Sequence, residues 1–182
     1  QTGMVDYKPA HVDFIRSYKP VHVPSEATIE EAARLINNSV KPFALVGQGV
    51  ELGEAREELK ALLEKAQIPA GCTMLGLSAL PTDHPLNMGM LGMHGNLGPN
   101  VMTNQCDLLI AIGMRFDDRV TGKLETYAKQ ARIIHFDIDP SEINKNVKVD
   151  MAVVGNCKQT LQRVTELVEP ARHQAWADGF KP

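Results

Sequence analysis

The chain has 182 residues, 43% of them apolar, and a formal net charge of -3. That length suits one ordinary domain with a sizeable core. The acidic balance, the scattered lysines and arginines and the scarce aromatics (one tryptophan) exclude a nucleic-acid surface or a single-strand stacking platform, and no apolar run reaches membrane-spanning length.

In chain order, residues 1–24 carry Pro9, Pro20 and Pro24 among mixed residues and read as a linker or arm. The chain opens on Gln1-Thr2-Gly3 rather than Met, which suggests a piece of a longer or processed protein; no basic-then-apolar leader precedes it. "PSEATIEEAARLINNS" then predicts a helix. Ser25 is its cap, Glu26 is the acid in its first turn, and Ile29, Ala32, Ala33 and Ile36 form its inward stripe. Phe43–Val46 is a short apolar run, as expected of a strand buried on both faces, and Gly47 and Gly49 end it. A helix is expected over 54–67 with Ala55, Leu59, Leu62, Leu63 and Ala66 inward, then a strand over 68–73. This strand, helix, strand order implies a parallel pair with a right-handed crossover.

Residues 74–98 show no clear period, and a loop that long in a compact domain usually has a function. Within and just beyond them, "GMLGMHGNLGPN" spaces Gly89, Gly92, Gly95 and Gly98 among soft apolar residues. A short helix is expected from near Pro99 to before Asp107, then a strand over 107–113 and a loop with a short helix. A strand over 132–139 follows. "DPSEINKN" reads as a helix start, with Asp139 as cap, Pro140 in first position and Glu142 three after the cap. A strand over 150–155 and a helix over 156–168, with Leu161, Val164 and Leu167 inward, complete the pattern before Glu169-Pro170. The fold class is α/β: an open, mostly parallel sheet with helices on both faces, five visible strands and room for a sixth in the long loop.

Ligands of such sheets sit beyond the carboxyl ends of the strands. Three strands end in glycine, at Gly47, Gly113 and Gly155, and open backbone there suits a nucleotide-type ligand; the plainer alternative is that they only make turns. "VGQGVELG" is one residue too long for GxGxxG, and no Gly-Lys-Ser/Thr loop follows, so a plain NAD or Walker site is not indicated. Arg115, Asp117, Asp118, Arg119 and Lys123 crowd another strand end, where arginine can hold phosphate; a solvated ion-pair network is the alternative. Asp137 can accept from a ribose hydroxyl or an adenine amine, whereas Asp139 reads first as a cap. His84 and His94 make no convincing zinc pair. Cys72, Cys106 and Cys157 match no zinc spacing, and a reduced, cytoplasmic setting accounts for them. No nucleophile, base and orienting group occur together.

Taken together, "GMLGMHG", "GMRFDDRVTGKLE", "HFDIDPSEINKN" and "VVGN" resemble the central domain of the acetolactate synthase (acetohydroxyacid synthase) large subunit, over residues 20–170. The resemblance implies a Rossmann-like six-stranded domain that binds most of FAD, between two flanking catalytic domains. Those flanking domains hold thiamine diphosphate and Mg2+ at sites outside this chain. It implies residues 1–24 as an interdomain linker, 25–170 as the FAD-binding-type domain and 171–182 as the start of a linker to a C-terminal domain. The activity implied for the full protein is transfer of a pyruvate-derived unit to pyruvate or 2-oxobutyrate, in branched-chain amino-acid biosynthesis. Implied partners are a second copy of the full-length chain and a small regulatory subunit. FAD does no net redox work in that family, and this fragment alone is expected to be inactive, with no catalytic or metal residue of its own. A stand-alone nucleotide-sensing or structural domain is the alternative.

By match, Leu91, Gly92, Met93 and His94, with Thr73, Met74 and Leu75, would meet the flavin and ribityl region. Gly47, Gln48 and Gly49 would approach by backbone. Gly113, Met114, Arg115, Asp117, Arg119 and Val120 would belong to the cradle, with Arg115 on phosphate or ribityl oxygens. Asp137, Ile138, Glu142, Ile143, Asn146, Gly155, Asn156 and Cys157 would serve the adenosine end. In the family Asp118 and Arg119 face the substrate channel. One departure is Asn156-Cys157, where the family often has Asp-Val or Asp-Ala, which implies a different adenine-side contact at these two positions.

Overall fold

A computed structural model describes residues 23–170 and 173–180; the arm expected over 1–24 lies almost wholly outside them. Helix α1 (Glu26–Asn37) starts where Ser25 accepts a hydrogen bond from the Thr28 amide, and it buries Ile29, Ala32, Ala33, Leu35 and Ile36. Strand β1 (Pro42–Val46) is buried along its whole length. A one-turn helix α2 (Gly49–Leu52) follows, and α3 (Arg56–Ala66) begins two residues later than the sequence predicts. The delay has a cause in the backbone: Glu54 takes φ +50°, outside the right-handed helix region. At the far end Gln67 caps α3 in the left-handed conformation.

Strand β2 (Ala70–Cys72) leads into a 3-10 turn over Met74–Ala79 and then β3 (Asn87–Met90), the sixth strand for which the long loop left room. Helix α4 (Leu97–Gln105), β4 (Leu108–Ile112), the one-turn α5 (Asp118–Thr121) and β5 (Arg132–Asp137) come next. The helix expected at "DPSEINKN" stops after one 3-10 turn, Pro140–Glu142. Asp139 caps it as predicted, but Asn144 adopts φ +60° and no apolar stripe continues. Strand β6 (Met151–Val154) and α6 (Cys157–Leu167) close the main body. On α6, Leu161 and Val164 are buried; Leu167, expected inward, is 43% exposed, and Thr160 and Val168 take the inner positions instead.

The strand order is β3-β2-β1-β4-β5-β6 and every pairing is parallel. The order reverses at β1 and β4, the switch point of a doubly wound sheet. Alternate residues face opposite layers. Ala44, Val46, Ile110, Ile112, Ile134 and Phe136 pack with α1, α3 and α6. Phe43, Leu45, Leu109, Ala111 and Ile133 pack on the other side with Met102, Phe116, Tyr127, Trp176 and Phe180. Helix α7 (Gln174–Asp178) therefore lies against the second layer rather than leading away from it. The Trp176 indole donates to the Pro42 carbonyl at 3.2 Å, and the Lys41 ammonium sits 5.5 Å from its ring centroid. Among the described residues no helix is long and apolar enough to cross a membrane.

Candidate functional site

Parallel strands that all run one way place all their carboxyl ends on one edge. There the segments after β1, β2, β4, β5 and β6 enclose a cleft of about 480 Å³, within the range of small-molecule and cofactor sites. Gly47, Gln48 and Gly49, then Thr73, Met74 and Leu75, line it from the β1 and β2 side. Gly113, Met114, Arg115, Asp117, Arg119 and Val120 line it after β4, and Asp137, Ile138, Gly155, Asn156 and Cys157 after β5 and β6. Leu52, Gly53, Phe116 and Phe136 also line it and were not singled out from sequence. The signal for the first two was the Gly49 to Gly53 span of "VGQGVELG", one residue longer than the fingerprint allows, which folds as the turn of α2.

The glycines at this edge are needed first by the protein itself. A side chain at Gly47 would fall onto the Gly113 carbonyl oxygen, and a Cβ at Gly49 would lie 2.6 Å from the Gly113 Cα. The ends of β1 and β4 thus touch backbone to backbone and form one wall of the cleft. Gly155 is closed on by Pro24 and Thr160.

Charge is unevenly distributed along the cleft. On the β4 side, Arg115 and Arg119 have side chains about 70% exposed; Arg115 donates to the Asp117 carboxylate at 2.8 Å. Asp117 caps α5, and the Arg119 amide that it accepts, with Asp118 and Arg115 adding to it, holds its carboxyl below the usual range. On the β5 and β6 side stands Asp137, whose Oδ1 accepts from the Asp139 amide at 2.9 Å. Burial, then Asp137 and Glu58, pushes the Cys157 thiol up to about 12, so it is a protonated wall and no nucleophile. Beside it lies the amino end of α6, capped by Asn156, whose side chain accepts from the Gln159 amide. Such a helix end favours anions.

Seven of the expected residues stand off the cleft wall. Leu91 is buried in the second core layer. Gly92 (φ +98°) and Met93 turn against the Arg119 carbonyl, to which the Met93 amide donates at 2.8 Å, so this loop supports the Arg119 side of the cleft from behind. Met93 and His94 are exposed. Glu142 pairs with Lys145 at 2.6 Å, Ile143 is half-buried, and the Asn146 amide donates to the Phe116 carbonyl at 3.0 Å. Among the described residues no group of three or more His, Cys, Asp or Glu side chains could hold a metal ion.

A doubly wound parallel sheet with an open cleft across its switch point defines a Rossmann-like α/β domain. Residues 29–164 match the family model described as thiamine pyrophosphate enzyme, central domain, and the chain belongs to that family. It is 46% identical to a probable acetolactate synthase large subunit of Methanocaldococcus jannaschii, over 89% of this chain and 28% of that protein. It is 40% identical to the acetolactate synthase large subunit of Corynebacterium glutamicum, over 97% of this chain and 30% of that protein. It is also 46% identical to an acetolactate synthase of Mycobacterium bovis, over 86% and 25% respectively. The chain therefore spans less than a third of the length of these relatives.

Proposed function

We propose that this chain is the central domain of an acetolactate synthase large subunit and that its cleft holds FAD. The observation that carries the reading is the convergence of five strand ends on one cleft, with arginines at one side and a strand-end carboxylate at the other. That arrangement fits a dinucleotide. Asp137 can accept from a ribose hydroxyl. The amino end of α6 and Arg115 favour the diphosphate, and the apolar Met74, Leu75 and Val120 offer a surface to a ring system. The relatives' names support the choice of enzyme. Residues 91–94 then act by shaping the Arg119 wall and by offering Met93 as an apolar contact, and 142–146 by bracing the turn after β4. In this reading FAD supplies no net redox chemistry, and thiamine diphosphate and Mg2+ are held by flanking domains of the same polypeptide. The whole protein joins a pyruvate-derived unit to pyruvate or 2-oxobutyrate, in branched-chain amino-acid synthesis in the cytoplasm. It does so as a homo-oligomer with a small regulatory subunit; this domain alone has no activity.

Calorimetric titration with FAD, ADP and NAD in one buffer tests the cofactor. FAD should bind more tightly than the other two. ADP binding as tight as FAD would replace the reading with a nucleotide sensor, and no binding of any would leave a structural domain. Arg115→Ala should weaken FAD by roughly 1.5–3 kcal/mol, the size of one hydrogen bond to a charged group, while riboflavin, which lacks the diphosphate, is little affected.

A further inference from the structure

The turn that presents Arg115 is conformationally unusual. Gly113 has φ +58° and Phe116, which carries a bulky side chain, has φ +50°. A non-glycine residue held there persists only when its surroundings fix it. Two carbonyls of this turn are fixed from outside the turn. The Met114 carbonyl accepts from His135 Nε2 at 2.7 Å, and the Phe116 carbonyl accepts from the Asn146 amide at 3.0 Å. His135 is fully buried in the middle of β5. Its register partners on the two neighbouring strands are Ala111 and Ala152, small residues that leave room for an imidazole. The Phe116 ring meets the imidazole edge-on, with centroids 5.1 Å apart at 76°.

A carbonyl oxygen only accepts, so Nε2 carries the proton. The Asp137 Oδ2, 3.5 Å from the same nitrogen, favours that tautomer too. Nδ1 has no partner. A polar ring has thus been buried in a strand core, with one of its nitrogens unsatisfied, for the sake of the bond made by the other. Such a burial is costly where only packing is served.

We infer that His135 is a positioning residue: by holding the Met114 carbonyl it fixes the 113–117 turn and sets Arg115 over the cleft for the diphosphate of a dinucleotide, with Asn146 as a second anchor. The inference rests on the dinucleotide reading of the cleft. Asn146 then acts on the turn rather than as a direct contact to the ligand.

The test uses His135→Leu, His135→Gln, Asn146→Ala and Arg115→Ala, with FAD and riboflavin affinities and amide hydrogen exchange. Losing the Met114 anchor should weaken FAD about tenfold and riboflavin less than about twofold, as expected when one charge-assisted contact is misplaced. Gln, which can offer an amide donor, should restore most of the FAD affinity. In an Arg115→Ala background the His135→Leu change should have little further effect on FAD. Exchange over 113–117 should quicken in His135→Leu and in Asn146→Ala, with β4 and β5 unchanged. Equal weakening of FAD and riboflavin, an undiminished effect without Arg115, or faster exchange throughout the sheet would each overturn the inference and leave His135 as packing alone. Where the unaltered chain binds no flavin, the cofactor reading fails by itself, and exchange over 113–117 still decides whether His135 holds the turn. Asn146 lies at an exposed position, so its variant keeps the test open if His135→Leu does not fold.

Discussion

Two glycine-rich regions meet the same edge of the sheet for different reasons. At the switch point, Gly47 and Gly49 have ordinary backbone angles but no room for a side chain, because the Gly113 backbone occupies that space. In the other, Gly89 within β3 and Gly92 in the loop after it have φ +94° and +98°, angles that side chains rarely tolerate. The first pair is required by contact between two strand ends. The second is required by conformation as well as by contact, since an added Cβ would also lie 2.7 Å from Asn96 Oδ1 at Gly89 and 2.7 Å from the Arg119 carbonyl oxygen at Gly92. Composition marks both as places of open backbone and does not separate the two causes.

Substitutions can separate them. Gly47→Ala should be the most damaging, because the atoms it meets are Gly113 backbone and the Met114 Cβ, none of which can swing aside. A loss above about 3 kcal/mol in chemical denaturation, or no folded protein, is expected from such overpacking. Gly122→Ala isolates conformation: φ is +57° and nothing lies within 4 Å of an added Cβ. It should cost about 1–3 kcal/mol. A cost equal to that of Gly47→Ala would remove the distinction between crowding and strain. Gly98→Ala should be smallest and of opposite sign. It sits in the first turn of α4, with no positive φ and its nearest neighbour, the Phe180 carbonyl, at an ordinary 3.4 Å. A gain of about 0.5 kcal/mol in thermal or chemical melts is expected from helix propensity alone. A loss there would mean that the approach of residue 180 is tighter than its distance implies.

The parts of the fold written plainly in the sequence are those whose burial is one-sided or complete. Ser25 and the stripe after it give α1, and the apolar runs at 43–46 and 108–112 give β1 and β4, because central parallel strands are buried on both faces. Strand β3 was not legible. "NMGM" has no β-branched residue, it is only half-buried at the sheet edge, and its register with β2 shifts between Ala70 and Cys72. The second layer was harder than the first, since turns and the short helices α4, α5 and α7 cover it in place of long amphipathic ones. Its closing element, residues 174–178, was legible only as an unfinished segment. Within the site, the strand-end glycines, Arg115 and Asp137 were legible from position alone. His135 was not, because "RIIHFD" reads as an apolar run and the function of its one imidazole lies in a carbonyl 21 residues away. A polar ring in a strand flanked by alanines on both neighbours is the signal that could have found it.

The chain has a single tryptophan, and it lies in α7, held by the Pro42 carbonyl and beneath the Lys41 ammonium. Its indole emission is therefore a built-in gauge of one event, the seating of residues 173–180 on the second layer. The probe lines no part of the cleft, so a wavelength shift reports detachment of that segment, whereas filling of the cleft must be followed by another signal.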